Sequence, residues 1–418
     1  MTIALPTLAQ KRTAAAIFLV IAAAYSLAAS REAVAVWLAG TAKLGTLQWA
    51  VRLDSGNADY RNRLGRFYDL VARDPSTAVV HYKEAVQLNP HDAAYWFDLA
   101  SAYQVLGDRS SQTDALEHAI HADAMTPDVA WEAANLYLVQ GENEKALREF
   151  SVVMANDTSL AATSIQFCWR IDPDVDSLLR NVVPHNTDAY IAFLALLESK
   201  DQVAGSFKVW DALMQTNQPF ELRHVYDYVH FLILHKQVDQ AVQVWQQAAA
   251  RFRLTSYLPS MNNLVVNGRF DYDILNGGFD WQYQKQSAVN LTLDPNDFHA
   301  GRRSLLISFD GAGVTDAGMY ELVAVQPNTT YDFTGYYKNG EIEGAGGPHF
   351  TVQDMYSQAV YYESDELKDA DFWKRVDGEF TTGPDCKLVV LHVRRLPAGS
   401  PIRGKLWIDD LRLVRKPS

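Results

Sequence analysis

Paired carboxylates, histidines, cysteines and activated hydroxyls make and break bonds, and in this chain few of them are spaced for the work. Asp365 and Glu366 are adjacent, and two carboxylates are the equipment of glycoside hydrolysis. They fall, however, in the acidic run 363–371, which reads as an exposed loop. His118 and His121 stand three apart with no third ligand near them in sequence, so surface positions describe them best. Cys168 and Cys386 lie in what read as different domains, which predicts no disulfide, and no Cys/His cluster has metal-ligand spacing. The chain has no Gly-x-Ser-x-Gly elbow, no His-Glu-x-x-His, no phosphate-binding glycine loop and no dinucleotide fingerprint. Gly344, Gly346 and Gly347 precede Pro348 and look like a hairpin loop, since a phosphate loop would need a following lysine and helix.

The elements that would position any such residues point to binding instead. At 418 residues the chain should hold two or three domains, and 48% apolar with 21% charged residues excludes a largely disordered one. A net charge of −13 argues against a nucleic-acid partner. The charge is evenly spread, with 22 acidic and 16 basic side chains in residues 261–418.

A period of 34 to 35 residues runs through the first half. Tyr68, Tyr103 and Tyr137 are 35 and 34 apart, and Ala50, Ala85, Ala119 and Val153 are 35, 34 and 34 apart. Gly65 and Ala100 fall early in the unit, Gly107 and Gly141 at its turns, Ala78 and Ala146 in its second helix, and Pro90 closes one unit. This resembles a tetratricopeptide array, in which stacked helical hairpins present a surface to a partner. Units are expected at 57–90, 91–124 and 125–158, with looser helical pairs at 187–214 and 221–252. The resemblance implies a protein partner on the array, with Tyr60, Arg61, Tyr95 and Trp131 as candidate contacts near the starts of first helices.

Ahead of the repeats, Lys11 and Arg12 precede eighteen uncharged residues, 13–30. That length lies near the lower limit for spanning a bilayer and is long for a signal-peptide core. Ser26-Leu27-Ala28 offers a cleavage site, but the apolar sequence continues through Val34, Val36, Trp37 and Leu38, which favours an uncleaved anchor. The basic pair places residues 1–12 in the cytoplasm and the bulk outside it, periplasmic or at the cell surface.

From residue 262 to 414 apolar residues mostly recur every second position between Gly, Pro, Asn and Asp clusters, as in 304–309, 330–336, 387–393 and 405–409. That pattern predicts an antiparallel β-sandwich. The expected organisation is therefore multidomain α and β: a membrane segment at 13–30, an α-solenoid at 31–255 and a β-sandwich at 256–418.

Five motifs in order identify the sandwich more closely. Asn263-Leu-Val-Val-Asn267-Gly268-Arg-Phe270-Asp271 with Gly278-Phe-Asp-Trp281 comes first, then Gly301-Arg-Arg-Ser304 and Pro327-Asn-Thr-Thr-Tyr331. Trp373-Lys-Arg-Val376 and Leu406-Trp-Ile-Asp409-Asp410 follow. Together they resemble carbohydrate-binding modules of the family four/nine type, jelly rolls of the galactose-binding-like group. The resemblance implies a glycan partner, a polysaccharide, held by open aromatic faces and polar side chains. Candidates are Tyr336, Tyr337, Tyr356, Tyr361, Tyr362 and Trp373, with Asn339, Gln353 and Glu363 as polar partners. Tyr361 and Tyr362 are adjacent, so one of them is expected to face outward in a strand. Trp281 is assigned to the core. The resemblance also implies a structural calcium at Asp271 with Asp409 or Asp410, although two carboxylates cannot by themselves define such a site; no other cofactor is required. The expected function is a non-catalytic membrane-anchored scaffold of bacterial envelope or surface-polysaccharide assembly. A glycoside-active enzyme and a protein–protein adaptor with a structural sandwich are the alternatives.

Overall fold

The computed structural model describes residues 7–417. They form two compact units, one running through Lys200 with Ala204–Thr216, the other made of Asp201–Val203 and the chain from Asn217 onward.

The first unit opens with α1 (Leu8–Gly40), a 33-residue helix about 50 Å long at 1.5 Å per residue. Thr7 and Gln10 close a capping box at its start. Among the described residues it is the one helix long and apolar enough to cross a membrane, and none of its apolar window is buried. Its last turns behave differently. Ala35 and Ala39 are buried against Leu47, Ala50 and Val51 of α2 (Leu44–Leu53) and Tyr60 and Leu64 of α3 (Ala58–Arg66). The apolar helix therefore ends as one arm of the first helical hairpin.

Three hairpins follow on the expected period. They are α3 with a wide turn at Phe67–Val71 and α4 (Pro75–Leu88), α5 (Ala93–Leu106) with α6 (Arg109–Ala122), and α7 (Pro127–Gln140) with α8 (Asn143–Asn156). Local chemistry sets their ends. Asp74, Asp92 and Asp108 accept hydrogen bonds from the first-turn amides of Thr77, Ala94 and Ser111. Pro75 and Pro127 occupy the first helical turn, where no amide is needed. Gly107 and Gly141, at φ +73° and +77°, end their helices in the left-handed conformation. Close packing comes from small residues: Ala78, Ala85, Ala100, Ala119, Ala134 and Ala146 are fully buried. At Gly65 a Cβ would lie 2.6 Å from the Tyr82 ring, so only glycine admits that ring.

The sequence pattern loosens around Pro173 and Pro184, yet helices continue as α9 (Ala161–Ile171), α10 (Val175–Asn181), α11 (Thr187–Ser199) and α12 (Val203–Gln215). The first two span 11 and 7 residues, broken by Pro173, too short to show a clear 3.6 period.

The second unit begins with α13 (Leu222–Leu234) and α14 (Val238–Phe252) and continues into an antiparallel two-sheet jelly roll. Its strands are β1 (Gln282–Tyr283), β2 (Val289–Asp294), β3 (Ser304–Val314), β4 (Asp316–Ala324), β5 (Thr330–Glu343), β6 (Gly347–Asp354), β7 (Val360–Glu363), β8 (Lys374–Thr381), β9 (Leu388–Leu396) and β10 (Ser400–Arg415). One sheet runs β1-β4-β9-β6-β7 and the other β2-β3-β10-β5-β8. Alternation fills the space between them: Tyr331, Phe333 and Tyr337 of β5 face Phe350 and Val352 of β6 and Val389, Leu391 and Val393 of β9. Trp281 lies in this core against Phe270, ring centroids 5.3 Å apart.

The helical pair is part of this unit's packing. Trp245 of α14 is buried, donates its Nε1–H to Tyr257 O at 3.0 Å, and rests on Gly278, where a Cβ would lie 2.5 Å from the indole. Lys387, just before β9, pairs with Asp239 of α14 at 2.6 Å.

The run 363–371 is only partly the loose acidic loop expected. Asp365, Glu366 and Asp369 are exposed, but Leu367 and Ala370 are buried. Asn339 holds the run as a strap, donating to Leu367 O at 3.0 Å and accepting from Ala370 N at 2.9 Å.

Candidate functional site

The two sheets offer very different outer faces. On the first, the outward residues Leu322, Thr351, Leu388, Val390 and His392 are all buried. Val242, Trp245 and Gln246 of α14 lie close to Leu322 and Ala324 there. On the second sheet the outward Asn290, Thr292, Arg375, Asp377, Glu379 and Lys405 are exposed. A glycan meeting the sandwich broadside meets the second sheet.

The candidate aromatics divide accordingly. Tyr336 points outward from β5, half-buried, with its ring stacked on His299 (centroids 3.6 Å, planes 14° apart). His299 meets Trp373 edge to face at 6.0 Å. Trp373 is half-buried, and its neighbour Phe372 is 85% exposed. Further along the same face Trp407 of β10 donates Nε1–H to Asp294 at 2.8 Å beneath Lys338. In this row open rings and polar groups converge on the exposed sheet face.

The remaining candidates lie elsewhere. Tyr337 alternates with Tyr336 and so turns into the core, 2% exposed. Asn339 is buried and its amide is used by the 363–371 strap. Tyr361 and Tyr362 do not split one in, one out. A register irregularity between β6 and β7 lets both pack against the core, Tyr361 stacked along Phe380 and Tyr362 over Gly378 with its hydroxyl donating to Asp377 O at 3.2 Å. Tyr356 donates its hydroxyl to Ile233 O of α13 at 2.8 Å. Gln353 donates to Gln358, and Glu363 is exposed at the edge of the first sheet.

Asp409 and Asp410 organise the aromatic row. Buried Asp409 accepts hydrogen bonds from the amides of His299 (2.7 Å), Ala300 (2.8 Å) and Asp410 (2.7 Å), which fixes the loop that carries His299. Burial pushes its carboxyl up to about 6 although those amides oppose the shift. Asp410 is paired with Arg269 (3.1 Å) and Arg412 (3.0 Å), and Asp271 accepts the amide of Arg302 at 2.7 Å. Amides take both oxygens of Asp409 and two guanidiniums stand at Asp410, so these two carboxylates, the pair expected to meet Asp271 at a calcium, do not fit one. Among the described residues no group of three or more His, Cys, Asp and Glu is placed to hold a metal. Neither Asp409, closed to solvent, nor Asp410, held by arginines, is presented to a glycosidic bond.

On the helical array, Tyr60 is buried, Arg61 pairs with Glu84 at 2.6 Å, and Trp131 wedges against Phe150 and Phe167. Tyr95 alone of the four lines a groove, of about 570 Å³, with Asp59, Asn62, Arg63, Arg66 and Leu70. Sequence reasoning missed Phe372, His299 and Trp407 on the sandwich. On the array it missed the exposed Leu70, Val105 and Val139 (72, 69 and 67%), which repeat 35 and 34 residues apart at the ends of first helices. Their period was available as a signal; only burial shows that they face solvent.

Fold and site together define a helical-repeat protein that carries a carbohydrate-binding-module-like β-sandwich. Comparison with known proteins agrees: a family model described as a carbohydrate binding domain matches residues 262–397. No curated protein matches the chain. Among solved structures, one described as "CBM4 structure and function" is 13% identical, covering 38% of this chain and 100% of its own, with a TM-score of 0.28. MamA is 19% identical over 41% of this chain and 79% of its own, TM-score 0.24. PilF of Pseudomonas aeruginosa is 16% identical over 48% and 93%, TM-score 0.26.

Proposed function

We propose that this protein is a non-catalytic scaffold, anchored by α1 with its bulk outside the cytoplasm, that holds a protein partner on its helical repeats and a glycan on the outer face of the second sheet. Its setting is surface-polysaccharide assembly in a bacterial envelope. The observation that carries the glycan half is the row Trp373–His299–Tyr336 on the one sheet face left open. Aromatic rings stack on sugar C–H faces, and a shallow face suits a polymer chain better than a closed pocket does. The repeats supply the second half, with the Tyr95 groove as the partner surface.

A glycan array probed with the detergent-solubilised full-length protein tests this. Signal on polysaccharides that is lost in Tyr336→Ala and Trp373→Ala, but kept in Tyr356→Phe, is the expected result. Folded protein with no glycan signal would remove the sugar half and leave the adaptor reading.

A further inference from the structure

We propose that the glycan held on this face is acidic, its sugars bearing carboxylates that meet Arg269 and Arg412 beside the aromatic row; this rests on the glycan reading above. The chain as a whole is strongly acidic, as is its C-terminal part, so a basic outer rim at one spot is a local departure. The charges there are layered. Asp410 lies below the surface, its side chain 8% exposed, while the Arg269 and Arg412 side chains over it are 51% and 44% exposed. A ligand arriving from solvent meets guanidinium first and carboxylate second.

The bonding pattern leaves donors to spare. Arg412 commits Nε and one terminal nitrogen to Asp410, at 3.0 and 3.1 Å. Arg269 commits only Nε, at 3.1 Å. Among the described residues no acceptor takes its two terminal amino groups, and that planar fork matches a carboxylate in two parallel bonds. Beside it opens a groove of about 300 Å³ lined by Arg269, Arg412, Asn267, Ser260 and Tyr272, and also by two carboxylates, Asp410, which the two arginines pair, and Asp271, which accepts the amide of Arg302. Amide, hydroxyl and guanidinium groups suit a sugar acid there and would leave an apolar peptide unrewarded.

His299 joins this charged groove to the aromatic row. Its ring stacks on Tyr336, and its Nδ1 lies 3.9 Å from Asp410. Arg412 stands opposite Thr334 on β5, two residues from Tyr336, and Asp409 stands opposite Tyr336 itself. Rings for sugar faces and a fork for sugar carboxylates thus follow one another along a single strip.

The test compares a polyuronate with the same polymer after carboxyl reduction, each titrated into full-length protein by calorimetry. The polyuronate should bind about tenfold more tightly, the worth of one charge-assisted contact, and the margin should shrink as salt rises. Arg269→Gln, at an exposed side chain, should abolish the margin, whereas Tyr336→Ala should weaken both polymers alike. Equal affinity for the two polymers, or a margin untouched by Arg269→Gln, would overturn the inference and leave glycan binding standing. Folded protein that binds neither polymer would overturn both.

Discussion

Glu321 and Asp280 are fully buried carboxyls in the sandwich, and each keeps one oxygen without a partner. Glu321 accepts the amide of Val266, and Asp280 that of Leu275 (2.7 Å). Burial pushes Asp280 up to about 7 and Glu321 well above the ordinary carboxyl range, and Glu321 is raised further by Asp280. A carboxyl raised on folding binds more protons folded than unfolded, so it stabilises below its unfolded value and that stabilisation is lost as pH rises through the folded one. For Asp280 the window runs from about 4 to about 7, and the loss is on the order of 4 kcal/mol. Thermal melts should therefore show Tm falling from pH 5 to pH 8, and Glu321→Gln, whose amide oxygen still accepts from Val266, should flatten that fall. An unchanged slope in the variant would show that Glu321 plays no part. The calcium expectation is tested at the same scale. With Asp409 taken by amides and Asp410 by arginines, EDTA and added calcium should leave Tm alike, and a rise with calcium would contradict the geometry. Sequence named these carboxylates but not their partners, because Arg269 and Asp410 are 141 residues apart. The aromatics were legible as a set and not as individuals. Alternation separates Tyr336 from Tyr337, but the β6–β7 irregularity that turns both Tyr361 and Tyr362 inward leaves no mark in composition.

At the scale of elements, the tetratricopeptide units were readable because each rule repeats: an aspartate cap, a glycine at the turn and alanines at the seams. What periodicity does not tell is what an element packs on. The pair α13 and α14 reads in sequence as a diverged repeat or a capping segment, and it shares a unit with the sandwich and meets it through Trp245, Gly278 and Lys387. The fragment 217–418 should accordingly be soluble and melt in one transition. The fragment 256–418 leaves Leu322, Tyr257 and Phe279 without their cover and should melt lower or aggregate. Trp245→Ala in the longer fragment should cost about 3–5 kcal/mol in urea unfolding, the range for a buried tryptophan. Equal stability of the two fragments would show that the helical pair is not part of the sandwich's fold.

At the scale of the whole molecule, the apolar segment and the repeat array are one continuous object. The helix α1 runs without a break past the small residues at Ser26 and Ala28 and ends with Ala35 and Ala39 inside the first hairpin. Its exposed apolar stretch contributes nothing to that hairpin, and its last two turns contribute directly. The two parts should separate under truncation. Removal of residues 1–30 should release the protein from membranes while leaving its helical circular dichroism and unfolding midpoint in urea nearly unchanged. Removal of residues 1–41 strips the cover from Leu47, Ala50 and Tyr60, and the midpoint should then drop. The intact chain, expressed in a bacterial host, should stay in the membrane pellet through alkaline extraction, as a spanning helix does and a peripheral one does not. Recovery of the intact chain in the alkaline supernatant would refute the anchor. A soluble product beginning near Arg31 would instead show that the segment is a signal removed on export, and the hairpin's independence from the exposed stretch means that such a product would still be folded.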